Sequence, residues 1–237
     1  MTIYLCLPGD RFSGRFLDCY TNLVASILAS GHELYVRRKY TSNVYMVRNL
    51  ILKNTDAGER TEMKVTHNRK ALPLEGRPYD YMLWIDSDMW FLPKHFQSLV
   101  EYDEPIVSGV AICGEQGRVN CGKIDEDGSP QFYDINELLE VERDEKGLVD
   151  VDFCGFSWMV VQKGVFESLS YPWFHPMWVA KNGKRHFPSE DIGWCISARE
   201  KGWKIKVDPM VWIGHAKELV LHPAAAIKSE LKKELMA

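Results

Sequence analysis

Long apolar runs, paired cysteine motifs and an excess of either charge are all missing from this 237-residue chain. No stretch reaches the roughly 18 apolar residues that a membrane span requires. The apolar run at 3–7 is too short for a signal-peptide core, has no basic flank, and is stopped at once by Pro8 and Gly9. The six cysteines, Cys6, Cys19, Cys113, Cys121, Cys154 and Cys195, contain no Cys-x-x-Cys pair and no even spacing. They read as reduced thiols, not as a zinc cluster or a secreted disulfide framework. Lys and Arg number 29 against 33 Asp and Glu, a net charge of −4 with no like-charged block, which argues against a dedicated nucleic-acid binder. Internal repeats and low-complexity tracts are absent too, which excludes solenoids and disorder as the main theme. These absences predict a cytoplasmic globular protein with no membrane span.

With 46% apolar and 26% charged residues, the composition is that of an ordinary globular chain. Short apolar runs that fit buried strands occur at 3–7 and 81–85, and 106–112 and 157–162 are further strand candidates. Between and after them lie helical patterns. Leu17, Tyr20, Leu23, Val24, Ile27 and Leu28 recur at helical spacing and stop before Gly31. Asn43 can cap a second helix with Val44, Val47, Leu50 and Ile51 on its apolar face. Glu33 to Arg38 reads as a strand. A helix starts at Ser189, turns Ile192, Cys195 and Ile196 inward and ends at Gly202. A strand at 204–207 follows, closed by Asp208 and Pro209. Such alternation predicts a three-layer α/β/α Rossmann-like domain with a mixed, mainly parallel sheet. The domain would span 1–220, with an excursion from the sheet at about 114–150, and 221–237 would add a C-terminal helix.

Three polar signals sit where strands give way to loops, the place at which open α/β sheets collect ligands. Asp86-Ser87-Asp88 follows the run 81–85. Two carboxylates around a small residue can direct oxygens to one hard cation, although the same tripeptide also serves as a turn or helix cap. Glu190 and Asp191 occupy the first turn of the Ser189 helix. Acids are favoured there by the helix dipole, and a carboxylate at a sheet rim can also take a proton from a hydroxyl. His215 follows Gly214 after a short apolar segment, Val211 to Ile213, and its imidazole could complete the coordination of a cation held by Asp88.

Taken in this order, the strand with Pro8, the Arg48-Asn49 helix, the Asp-x-Asp, 153–161, Glu190-Asp191, Gly202-Trp203 and the closing Gly-His resemble nucleotide-sugar-dependent glycosyltransferases of the A-type fold, most closely the family 2 inverting enzymes. The resemblance implies that Asp88 is the main metal carboxylate, that Asp86 contacts the nucleotide ribose or metal-bound water, and that His215 supplies a third metal contact. It further implies Asp191 as general base and Glu190 as its acceptor-binding neighbour. Gly155 and Phe156 would border the meeting place of donor sugar and acceptor. Pro8, Asp10, Arg48 and Ser87 would complete the donor site, with Arg48 pairing phosphate. The implied cofactor is Mn²⁺ or Mg²⁺, and the donor a uridine or guanosine diphosphate sugar. Its acceptor would be the hydroxyl of a glycan or other polar molecule, a modified base remaining open. The segment 9–15 departs from the usual family 2 opening, and 114–150 matches no family pattern.

Two other readings compete. A nucleotidyltransferase would share the α/β sheet, acids and metal, but Pro8-Gly9-Asp10-Arg11 is a thin version of its glycine-rich phosphate loop. A non-catalytic carbohydrate-binding module would use some of the eight tryptophans, among them Trp173, Trp178, Trp194, Trp203 and Trp212.

Overall fold

A computed structural model describes residues 1–53, 71–114 and 117–217. The predicted C-terminal helix at 221–237 lies outside the described residues. Along the chain run β1 (Thr2–Pro8), α1 (Gly14–Ala29), β2 (Glu33–Lys39), α2 (Val44–Lys53), β3 (Tyr81–Ile85), β4 (Met89–Trp90), α3 (Pro93–Glu101) and β5 (Ile106–Ala111). The excursion adds β6 (Arg118–Ile124), β7 (Pro130–Asp134) and α4 (Ile135–Glu140). Then follow β8 (Val149–Val151), β9 (Phe153–Cys154), β10 (Trp158–Gln162), α5 (Val165–Ser168), the hairpin β11 (Val179–Lys181) and β12 (Lys184–His186), α6 (Glu190–Glu200) and β13 (Ile205–His215).

The main sheet has the order β2-β1-β3-β10-β5-β13-β4, with β8 added along β13. β1 lies parallel to β2 and β3, and β5 parallel to β13, while β10, β4 and β8 run against their neighbours. Alternate residues of β1 and β3 feed two cores because side chains of a strand point to opposite faces. Ile3, Leu5, Leu83 and Ile85 pack under α1 and α3 through Phe16, Leu23, Phe96 and Leu99. Tyr4, Cys6, Met82 and Trp84 pack under α2, α5 and α6 through Val47, Ile51, Phe166 and Trp194. The architecture is therefore the three-layer α/β/α arrangement with a mixed, mainly parallel sheet. All six cysteines are free thiols. Among the described residues, no helix is long and apolar enough to cross a membrane.

The helix caps follow the sequence signals. Ser13 Oγ accepts the Phe16 N–H, Asn43 Oδ1 accepts the Met46 N–H at 3.2 Å, and Gly31 and Gly202 take positive φ just past their helices. β13 differs from expectation. In place of a strand at 204–207 and a separate apolar segment, one strand runs through Pro209 to His215. Its register with β5 slips between Val207 and Trp212, and Pro209, which has no N–H to give a ladder, sits in that slip. Asp208 steadies the irregularity by accepting the Met210 N–H and the Tyr102 hydroxyl, each at 2.8 Å. The excursion is a three-stranded sheet, β7-β6-β9, from which β8 returns to the main sheet. Asp152, between β8 and β9, accepts from Arg199 at 2.8 Å and so fastens the end of α6 to the excursion.

Candidate active site

β1 and β3 end side by side, since Cys6 pairs with Trp84. The loops that follow touch. Gly9 has φ +144°, and a methyl group there would lie 2.9 Å from Ser87 Cβ, so only glycine lets the Pro8 turn close on the Asp86-Ser87-Asp88 loop. Gly9, the residue after Pro8, is thus brought against Ser87. Asp10 is exposed beyond the turn.

β4 brings the far end of the sheet to the same loop. It pairs Met89 with His215, and the Asp88 carbonyl accepts the Ala216 N–H at 2.8 Å. His215 Nε2 consequently stands 2.9 Å from Asp88 Oδ2, across 127 positions of sequence. His215 Nδ1 lies 2.8 Å from the Ile112 carbonyl, an acceptor only, so Nδ1 carries a proton and the ring is held with Nε2 toward the carboxylate. Lys217 Nζ adds a cation to the pair, 2.6 Å from Nε2 and 3.9 Å from Asp88 Oδ2. A backbone-anchored imidazole beside a carboxylate is also the ordinary half-site of a divalent metal, so these two residues fit the expected cation. Asp86 does not join them: its carboxylate turns to Arg48. Among the described residues, no three His, Cys, Asp or Glu side chains form a group that could hold a metal ion.

Arg48 departs most from expectation. It is neither a surface arginine nor directed to an open phosphate site, but 3% exposed in the wall between α2 and the sheet. Its Nη2 lies 3.2 Å from Asp86 Oδ1 and its Nε 3.3 Å from Glu190 Oε1. The guanidinium carbon sits 5.1 Å from the Phe156 ring centroid, with Trp84 and Phe174 at 5.8 and 5.9 Å. A buried cation demands counter-charge, and an aromatic box recovers part of its lost hydration. Burial alone would lower the Arg48 pKa, but Asp86, Glu190 and Asp191 outweigh it and raise it. The box also corrects the role given to Phe156. Its ring is buried against Trp84, Phe174 and Trp194, and supports Arg48 instead of facing an acceptor.

Glu190 and Asp191 divide at the start of α6. Glu190 points inward to Arg48. Ser189 holds the N-cap position but makes no side-chain cap bond; its hydroxyl donates to Asp191 Oδ1, which also accepts the Ile192 N–H at 2.8 Å. Asp191 Oδ2 is left without a hydrogen bond among the described residues. It faces Gly155, where an added Cβ would stand 3.3 Å away. Gly155 therefore does border Asp191, held there by its N–H to the Asn120 carbonyl at 2.8 Å.

Two supports had no role assigned from the sequence. Tyr45 donates its hydroxyl to the Pro188 carbonyl at 3.3 Å, just ahead of α6. Asn49 Nδ2 donates to the Phe174 carbonyl at 2.6 Å, and Asn49 Oδ1 accepts the Phe174 N–H at 3.3 Å, locking one wall of the aromatic box. Of the five tryptophans considered for sugar binding, Trp173 and Trp194 are core, whereas Trp178 and Trp212 are exposed.

Burial raises the pKa of both Asp86 and Glu190, with Arg48 pulling each back and nearby acids adding to the rise. Asp86 feels this although 31% of its side-chain surface is open. A carboxyl whose folded pKa is raised, as that of Glu190 is, takes up its proton more readily folded than unfolded, so its contribution is present at low pH and lost as pH rises through that raised pKa. The stability of the wild type relative to Glu190→Gln is therefore expected to fall as pH rises from the ordinary carboxylate range, about 4, upward. Urea unfolding of both proteins across that range measures it, and a difference that grows with pH would mean that the Arg48 pair outweighs burial.

No family model and no curated protein matches the sequence. Among solved structures, the chain is similar to A197 from STIV, covering 93% of this chain and 96% of that one, with a TM-score of 0.48 and 11% identity. It is similar over 92% of its length to GalNAc-T7 with UDP, GalNAc and Mn²⁺, of which it spans only 44%, with a TM-score of 0.48 and 8% identity. The catalytic domain of Drosophila beta1,4galactosyltransferase 7 in complex with xylobiose is matched over 92% of this chain and 71% of that one, with a TM-score of 0.47 and 12% identity. Likeness at this level assigns neither activity nor substrate.

Proposed function

We propose that the protein is a metal-dependent glycosyltransferase that moves a sugar from a uridine or guanosine diphosphate sugar to an acceptor hydroxyl with inversion at the anomeric carbon. The observation that carries this reading is the convergence, at the carboxyl ends of β1 and β3, of Asp88 with His215 and of Asp86 with Arg48, Glu190 and the neighbouring Asp191. A sugar-binding module needs no such gathering of acids. The catalytic domain would be residues 1–220, the excursion included, and the family 2 resemblance rests on its motifs alone.

In this reading Asp88 and His215 hold Mn²⁺ or Mg²⁺, which when bound supplies charge neutralisation for the departing diphosphate. Asp86, oriented by Arg48, stands ready for the donor's ribose hydroxyls. Pro8, Gly9 and Ser87 wall the nucleotide pocket. Asp191 takes the acceptor proton at Oδ2, the oxygen left open, while Oδ1 is pinned by Ser189 and Ile192. Glu190 keeps Arg48 in place between the donor and acceptor carboxylates.

Calorimetric titration of uridine and guanosine diphosphates tests the site. Wild type is expected to bind one of them with Mn²⁺ and to lose about tenfold or more of that affinity with EDTA or in Asp88→Ala, on the scale of a lost charged contact. Unchanged affinity in both would remove the metal assignment. The Lys217 ammonium, already 2.6 Å from His215 Nε2, would then be the cation that meets the diphosphate.

A further inference from the structure

β2 is the outermost strand of the main sheet, and among the described residues no strand pairs with its outer edge. Its bonds to β1 show which groups that edge presents. The Glu33 N–H donates to the Met1 carbonyl, and the Lys39 carbonyl accepts the Gly9 N–H, so the odd-numbered residues turn their backbone polar groups to β1. Leu34, Val36 and Arg38 therefore point theirs outward, since the direction alternates along a strand. Tyr35 and Val36 are exposed beside them. A row of outward N–H and C=O groups is a template for another strand.

The sequence of β2 complements itself when read against a copy running the other way. Antiparallel pairing centred on Val36 sets 34 opposite 38 and 33 opposite 39, and every outward N–H then meets an outward C=O. Odd-numbered residues fall at the non-hydrogen-bonded sites, where side chains approach most closely. There Glu33 meets Lys39 of the second copy, and the Tyr35 ring meets the Arg37 guanidinium. On the other face Val36 meets its own copy, and Leu34 meets the aliphatic stem of Arg38. Basic residues on an edge ordinarily discourage pairing; here each one has a counterpart in the copy. A register centred on Arg37 would instead set that arginine against itself.

α1 extends the same surface. Ser26 Oγ accepts the Gln97 amide of α3 at 3.0 Å, which fixes the flank of α1 that faces α3 and the β10-β5 side of the sheet. By the step of about 100° per residue in a helix, Leu17 and Leu28 stand on the opposite flank, toward β2, and both are exposed. Val24 between them and Leu34 of β2 are partly buried against one core cluster, so helix flank and strand edge are continuous.

We propose that two copies of the chain join through this surface, β2 against β2 in antiparallel register about Val36, with the Leu17–Leu28 flanks of α1 facing each other across the same axis. The contact is isologous and closes at two copies, leaving one continuous sheet and no open β2 edge. A foreign extended peptide would satisfy the outward N–H and C=O groups but would have no need of the Glu33–Lys39 complementarity or of the α1 flank, both of which the copy repeats.

Sedimentation velocity of the whole chain is expected to show a dimer at micromolar concentration. Val36→Pro removes both central bonds between the copies and is expected to raise the dissociation constant about 30-fold or more. It costs no bond to β1, because the Val36 N–H faces outward and an edge strand accepts proline there. Leu28→Lys, on an exposed helix flank, is expected to raise the constant about tenfold. Thermal melts verify that each variant is folded. Cross-linking reads the register. Val36→Cys, oxidised with copper phenanthroline, is expected to give a covalent dimer that wild type treated alike does not, because hydrogen-bonded partners stand about 5.5 Å apart at Cα. Arg38→Cys is expected to give none, since its two copies lie about 13 Å apart along the strands. A chain that sediments as a monomer at every concentration up to about 100 µM, or a dimer that Val36→Pro and Leu28→Lys both leave intact, overturns the proposal. Cross-linking of Arg38→Cys in place of Val36→Cys, or of neither in a dimer, overturns it too, because the self-complementary register is what names the second copy as the partner.

Discussion

Asp191→Asn is expected to bind nucleotide diphosphate as the wild type does and to lose roughly 10²- to 10⁴-fold of its turnover with acceptor. The two oxygens of Asp191 are already differentiated. Oδ1 accepts from the Ser189 hydroxyl and the Ile192 N–H, a task that an asparagine carbonyl performs equally well, so the first turn of α6 keeps its shape. Oδ2 has no partner among the described residues and faces Gly155; replaced by an NH₂ group, it can no longer accept a proton. The substitution thus removes the proposed base and spares the scaffold, which separates a chemical role from a structural one. Nucleotide release with and without acceptor measures the first, and proton NMR of the product gives the anomeric configuration. Near wild-type turnover, or retention of configuration, would overturn the inverting mechanism and favour a retaining transferase on the same sheet.

The strands that place these groups were legible because they are buried on both faces. β1 and β3 carry unbroken apolar runs, at 3–7 and 81–85, while β5 is broken only by Ser108-Gly109 and β10 ends on Gln162; such runs have few alternatives. β13 was legible only in pieces, because Asp208 and Pro209 look like a terminus until the slip against β5 is seen. The positions of Asp88, Glu190, Asp191 and His215 at element ends could be read locally. The partnership of Arg48 could not: its two counter-charges lie 38 and 142 positions away, and nothing in Val47-Arg48-Asn49 distinguishes a buried ion pair from a surface one. Phe156 fails for the same reason, since its function is to cover Arg48. The hairpin differs again. Asn182-Gly183 is a strong local turn signal, but its short strands lack the apolar alternation that would have announced them.

Arg48→Met is expected to destabilise the protein by about 3–5 kcal/mol, because it leaves Asp86 and Glu190 without their shared cation while keeping the side chain's bulk. At this chain length that corresponds to a melting temperature lower by roughly 6–20 °C. The exposed third of Asp86 lets water answer part of its charge, which favours the lower end of both ranges, whereas Glu190 has no such relief. Adding Glu190→Gln to Arg48→Met removes the more deeply buried orphan charge and should restore a good part of the loss. Arg48→Lys should not, since a single ammonium cannot reproduce the fork that meets carboxylates from β3 and α6 at once. Scanning calorimetry of the three variants reads this directly. A melt of Arg48→Met close to wild type, with no recovery in the double variant, would show that the aromatic box tolerates a neutral side chain and that the two carboxylates are held apart by something other than Arg48. In that case the coupling of Asp86 to Glu190 would be lost as a physical link, and each carboxylate would have to be positioned by its own loop.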